Sequence, residues 1–137
     1  MKVSKGLKVT GGILLVVVVA GFLAFRSFMA RTEKAMEELG KVAIRNVDMS
    51  SIDDGRYRGS YGGFPVKAEV EVTVADHRIQ TVKILKHDNG KGKPAEALTD
   101  TIVDSQSLEL DVVSGATYSS KVILKAVENA LREAPNE

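Results

Sequence analysis

The chain has 137 residues, 44% hydrophobic, 27% charged and only 5% aromatic, which is material for one small domain and too little for two. Cysteine is absent and His77 and His87 are the two histidines. Disulfide frameworks, thiol redox chemistry, iron–sulfur clusters, c-type haem attachment and Cys/His zinc sites are thereby excluded, so any redox chemistry must use a borrowed cofactor. The net charge of +1 hides an asymmetry: Lys2, Lys5, Lys8, Arg26 and Arg31 face no acid in positions 1–31, leaving 14 basic and 18 acidic residues from Thr32 onward. A remainder of −4 argues against a nucleic-acid partner.

From Val9 to Phe25 the sequence carries no charge, and Ser27 to Ala30 extend it beyond a single Arg26. At about 1.5 Å per residue this run is roughly 26 Å long, enough for a thin hydrocarbon core if Arg26 snorkels. Residues 1–31 are therefore predicted to be a single N-terminal transmembrane anchor in the lipid bilayer. A cleavable secretory signal competes, but no small-x-small cleavage site stands ready, since Phe28 lies two places before Ala30 and Phe22 two before Ala24. Positive charge on both sides of the run leaves the orientation undecided.

Residues 32–50 are predicted as a helical stalk, with Met36, Leu39, Ala43 and Val47 at helical spacing. Asp53-Asp54-Gly55 signals a turn before a short strand at Arg56–Tyr61. Val66, Ala68, Val70, Val72 and Val74 alternate with polar residues, the period-two signature of a strand with one buried face. A turn at Ala75–Arg78 returns the chain into a partner strand over Ile79–Lys86. Pro94 is expected to open a short helix to about Ser105, with Ala97, Leu98, Ile102 and Val103 inward. A stronger helix starts near Tyr118, with Val122, Ile123, Ala126, Val127, Ala130 and Leu131 on one face, and Glu133–Glu137 are expected to fray. The predicted fold class is α+β, a small antiparallel sheet packed by helices behind the anchor, with the domain proper at residues 51–137.

Ser114-Gly115-Ala116-Thr117-Tyr118-Ser119-Ser120 gathers hydroxyls around a glycine just ahead of that last helix. Such a segment suits a phosphate, because a helix start presents free N–H groups and the positive end of the dipole. An ordinary cap, with Thr117 or Ser119 accepting from first-turn amides, is the competing local reading. Ser114, His87 and Asp111 can be written as a hydrolytic triad, but no nucleophile-elbow context supports it.

The order of these features over residues 54–132 resembles the FMN-binding domain family, which includes flavin-carrying subunits of the sodium-pumping NADH:quinone reductase and the Rnf complex. The resemblance rests on Asp54-Gly55-Arg56-Tyr57, the alternating hairpin, the histidine and glycine loop, and Asp111-Val112-Val113-Ser114-Gly115-Ala116-Thr117-Tyr118-Ser119. It implies covalent FMN, joined by a flavin transferase as a phosphoester of Thr117. Ser114, Gly115 and Ala116 would form the tight approach, with Ser119 a neighbouring hydroxyl and Asp111 the upstream acid. Tyr118, and the loop bearing His87, Gly90 and Gly92, would lie beside the flavin. The loop Asp88-Asn89-Gly90-Lys91-Gly92-Lys93 departs from the family's usual acid or threonine before a glycine pair.

The resemblance thus implies a single-pass protein of the cell membrane whose domain faces the extracytoplasmic side and passes electrons between redox partners there. No catalytic or metal-ligating residue is assigned, and an electron-transfer flavoprotein is favoured over a stand-alone enzyme. An anchored reductase of a soluble acceptor and a cofactor-free adhesion or sensing module remain as alternatives.

Overall fold

The computed structural model describes residues 5–88 and 92–133 and is α+β. Two compact units divide the chain, Met1–Ala35 and Met36–Glu137. The first is made by helix α1 (Lys5–Lys41), which continues into the second. Its large apolar side chains from Val9 to Met29 are exposed, and the helix is long and apolar enough to cross a membrane. The predicted stalk differs beyond Lys41: residues 42–48 leave the helix and form no regular element, while Leu39 is buried in the core.

Three antiparallel strands, β1 (Gly55–Gly63), β2 (Val66–Ala75) and β3 (Arg78–Asp88), form a meander in chain order. The valine alternation does what its period demands, burying Val66, Ala68, Val70, Val72 and Val74 on one face of β2. Asp76 and His77 both adopt left-handed backbone, with φ of 52° and 57°, which gives the β2–β3 turn the twist its strands require. That turn is pinned from outside. Asp54 Oδ1 accepts from the Asp76 amide at 2.8 Å, and His77 Nδ1 lies 3.1 Å from the Ile52 carbonyl and 3.2 Å from that of Met49. Because both of its partners are acceptors, Nδ1 of His77 carries the hydrogen.

β3 departs from simple alternation at two places. The register with β2 shifts between Thr73 and Val74 and again between Glu69 and Val70, so Gln80 and Leu85 are extra residues. Each bulge re-phases the strand. The residues paired with the inward side of β2 become Ile79, Val82, Ile84 and His87.

The segment expected as one helix from Pro94 is a 3-10 turn (Lys93–Ala97) followed by helix α2 (Leu98–Ser105). The change of pitch turns Ala97 outward and buries Ala95, Leu98 and Ile102. After α2, Gln106 takes a left-handed conformation and its side-chain amide pairs with both the N–H and the C=O of Ile79, at 2.9 and 2.8 Å. It thereby occupies the edge of β3 where another strand would otherwise add.

Helix α3 (Thr117–Arg132) covers the sheet with Val122, Ile123, Ala126, Val127, Ala130 and Leu131, all buried as predicted. Its closest approach is over β1. A β-carbon added to Gly59 would stand 2.2 Å from the Ala126 carbonyl oxygen and 2.4 Å from the Ala130 nitrogen. One added to Gly62, whose φ is +94°, would meet Val122 Cγ1 at 3.0 Å. Since Val122 lies near the end of β1 and Ala130 near its middle, α3 runs antiparallel to β1. Its first turn therefore sits at the sheet end where β1 stops, β2 begins and β3 stops.

Glu128 of α3 is only 2% exposed. Its carboxylate accepts from Lys125 Nζ at 3.0 Å, Arg132 Nε at 2.8 Å and the Arg45 amide at 3.1 Å. Burial alone would raise its pKa, but these donors outweigh that and hold it below the usual glutamate value. Lys121 and Lys125 reach the Val42 and Ala43 carbonyls, at 2.9 and 3.4 Å, so the irregular segment after α1 is fastened along the helix.

Three substitutions have expected outcomes for the full-length chain in detergent, read by tyrosine fluorescence because Tyr57, Tyr61 and Tyr118 all lie in the second unit. Gly59→Ala forces helix and strand apart and is expected to lose about 3 kcal/mol or more in urea unfolding. Gly63→Ala, where an added β-carbon meets nothing within 4 Å, should stay within about 1 kcal/mol of wild type. Glu128→Gln is expected to cost about 2 kcal/mol at neutral pH. A depressed carboxylate pKa stabilises fully above the unfolded value, near 4.5, and the benefit disappears as pH falls through the folded value. The wild-type advantage over Glu128→Gln should thus shrink below about pH 4.5.

Candidate functional site

At the start of α3 the chain makes a tight turn in which the Ala116 amide donates to the Val113 carbonyl at 2.9 Å. Gly115 sits at φ +77°, a backbone conformation that disfavours other residues, and open space surrounds the position of its missing β-carbon. Ser120 braces the turn from within. Its hydroxyl accepts from the Val113 amide at 2.9 Å and donates to the Ala116 carbonyl at 2.7 Å.

No side chain caps the helix. The Ser120 amide bonds the Ala116 carbonyl, and the amides of Thr117, Tyr118 and Ser119 have no acceptor among the described residues. Thr117 and Ser114 are exposed, and neither side chain makes a hydrogen bond among the described residues. An unshielded helix start, an exposed hydroxyl at its first position and a glycine that keeps side-chain bulk away make a cradle for a phosphate ester.

Ser119, the other hydroxyl suited to capping, faces inward. It is 2% exposed and its Oγ lies 3.0 Å from His87 Nε2, while His87 Nδ1 lies 2.9 Å from Glu96 Oε1. The His87 side chain is itself 2% exposed. Nδ1 faces a carboxylate and so carries the hydrogen, and Nε2 shares a hydrogen bond with the Ser119 hydroxyl. The three side chains come from the end of β3, the 3-10 turn and the first turn of α3. This order of serine, histidine and carboxylate is that of a nucleophilic triad, but a buried Ser119 Oγ offers a substrate no line of approach.

The remaining predicted residues are dispersed around this point. Asp111 is exposed on the irregular segment before the turn, and Ala116 is buried beneath it. Tyr118 is partly exposed and its ring passes the end of α1, 3.6 Å from where a β-carbon on Gly40 would stand. Gly92 is buried, with its carbonyl accepting from the Ala95 amide at 3.0 Å, and Gly90 lies outside the described residues. Phe64, 73% exposed at the tip joining β1 to β2, belongs to the same end of the sheet. Sequence reasoning passed over Phe64 and Glu96; an exposed aromatic between a glycine pair and a proline was the signal available for the first.

Two relatives share about a third of their residues with this chain. An uncharacterized protein of Treponema pallidum (strain Nichols) is 33% identical over 124 residues, covering 85% of this chain and 34% of its own. The NADH:acrylate oxidoreductase of Vibrio harveyi is 33% identical over 109 residues, 74% of this chain and 10% of its own. The chain thus spans about a third of one relative and a tenth of the other. The profile of the FMN-binding domain family matches residues 61–132, which take in the hairpin, the His87 cluster and all of α3. That match takes in more than half of the chain, and this chain belongs to the FMN-binding domain family.

Proposed function

We propose that the protein is a membrane-anchored flavoprotein whose domain faces the extracytoplasmic side, carries one FMN as a phosphoester of Thr117 and relays electrons between redox partners. The observation that carries this reading is the pairing of an exposed Thr117 with an uncapped α3 in a chain of the FMN-binding family. The flavin supplies the electron-accepting ring system; the chain supplies its tether and surroundings.

The amides of Thr117, Tyr118 and Ser119 would donate to the phosphoester oxygens. Gly115 and exposed Ser114 would let the phosphate approach the turn, and Phe64 would give the ring an aromatic neighbour. Attachment joins the Thr117 Oγ1 to the phosphorus, and a flavin transferase would provide that chemistry. A covalent tether suits a site beyond the cytoplasm, where a released cofactor is diluted and lost, because attachment keeps its effective concentration high. Residues 1–31 would serve as the anchor and 32–50 as the link to the domain. That the stretch similar to this chain is a tenth of the NADH:acrylate oxidoreductase supports a carrier role, one part among others in a larger electron path.

Intact mass of the full-length chain, coexpressed with a flavin transferase, tests this directly. Wild type is expected to gain one FMN less one water and to be yellow, Thr117→Ser to retain some of that gain and Thr117→Ala to show none. A colourless wild type of unmodified mass would return the turn to a purely structural role. Gly115→Ala, strained at its positive φ, should lower the modified fraction several-fold at equal expression.

A further inference from the structure

One side of α3 carries a charge arrangement that the flavin reading does not use. Lys121, Lys125, Glu128 and Arg132 recur at the spacing of a single helix face, and residues 42–45 lie along it. Beside them the surface sinks into a depression of about 400 Å³ lined by Ala43, Arg45, Lys125, Glu128 and Arg132. We propose that this depression is an anion site that takes a phosphate group carrying two negative charges. The site is separate from the Thr117 turn, since Glu128 lies eleven residues further along α3, about 16 Å at 1.5 Å per residue. Its occupation does not depend on a flavin being attached at Thr117.

The donors around the depression are only partly engaged within the fold. Lys125 Nζ gives one hydrogen to Glu128 Oε2 at 3.0 Å and one to the Ala43 carbonyl at 3.4 Å, which leaves its third. Arg132 engages Glu128 Oε1 through Nε alone, at 2.8 Å, so its two terminal amino groups keep their hydrogens. Arg45 reaches Glu128 with its backbone amide at 3.1 Å, and its guanidinium has no hydrogen-bond or ion-pair partner among the described residues. The Glu128 carboxylate, by contrast, is filled by three donors and is only 2% exposed.

Three cations against one carboxylate leave the depression two positive charges in excess, in a chain whose residues from Thr32 onward sum to −4. That excess matches a phosphate monoester, which carries about −1.5 to −2 at pH 7. The Arg45 and Arg132 guanidinium groups are planar forks, a shape that pairs with two oxygens of one phosphate at a time. Glu128 contributes more than packing here. A buried ion cluster is a poor source of stability beside apolar side chains of the same volume, whereas a buried carboxylate bonded to Arg132 Nε and Lys125 Nζ holds both cations at the depression before any ligand arrives. The same chemistry is offered by inorganic phosphate or a soluble monoester and by the monoester headgroup of phosphatidic acid in a bilayer.

The test follows the side-chain Nε–H signals of Arg45 and Arg132 by heteronuclear NMR of the full-length chain in detergent, titrated with inorganic phosphate at an ionic strength held constant with chloride. Both signals are expected to shift and saturate. Arg45→Gln removes a side chain bonded to nothing else among the described residues, so its urea unfolding should match wild type, while the phosphate needed for half of the Arg132 shift rises about tenfold for the loss of one charge-assisted pair. Arg132→Lys keeps the charge but gives up the fork, and it should weaken the Arg45 response in the same way. Shifts that grow without saturating, or that are equal in wild type and Arg45→Gln, would overturn the proposal. Phosphatidylcholine nanodiscs with and without phosphatidic acid then separate the sources. Signals already at their saturated positions in the phosphatidic acid discs assign the site to a lipid headgroup, signals that move only when phosphate is added assign it to a soluble ligand, and signals that respond to neither overturn it.

Discussion

The contact on which the rest depends is the near-touching of α3 and β1 at Gly59. Backbone meets backbone there, with the space of a single β-carbon already taken by the Ala126 carbonyl and the Ala130 amide. Small residues on both sides let the helix settle deep enough for Val122, Ile123 and Val127 to reach the valines of β2. Because the helix can seat only there, its length and direction determine where Thr117 falls. The turn bearing Ser114 and Gly115 is delivered to the end of the sheet shared by the Phe64 tip and the end of β3.

A second constraint acts at the other end of the same helix. Glu128 is a buried carboxylate satisfied by one amide and two cations, and it draws the irregular segment after α1 onto α3. Burying an unpaired charge would be costly, so the pairing is obligatory once the glutamate sits in that position. Rigid packing along the helix thus sets where the Thr117 turn falls. The turn then needs no cap of its own. Ser120 braces it from below and Ser119 is bound to His87, so the first-turn amides stay open.

Much of this was legible in the sequence because it depends on local periodicity. The five alternating positions of β2, the six apolar positions of α3 and the uncharged run of α1 each repeat with the period of their own element. The turn at Ser114–Thr117 was likewise visible, since a glycine among hydroxyls before a helix carries its meaning within a few residues. What could not be read were the phase errors. Two single-residue bulges in β3 leave no mark in a strand whose polar and apolar residues are already mixed, yet the first turns Val82 and Ile84 inward in place of Thr81 and Lys83, and the second restores the phase that brings His87 inside. The end of α1 at Lys41 was hidden for a similar reason, because the apolar spacing continues to Val47 while the carbonyls of Val42 and Ala43 are claimed by lysines far along the chain.

The sequence by itself therefore determined the elements, the anchor-like helix, the class of the fold and the family to which the domain belongs. Those properties follow from patterns of burial and turn chemistry that are complete within a single element. Only the tertiary structure decided which hydroxyl is offered and which is hidden. Thr117 and Ser119 are two residues apart with similar chemistry, and no local rule separates them. One is left facing out and the other is taken by His87, because strand, turn and helix meet there from positions up to 32 residues apart.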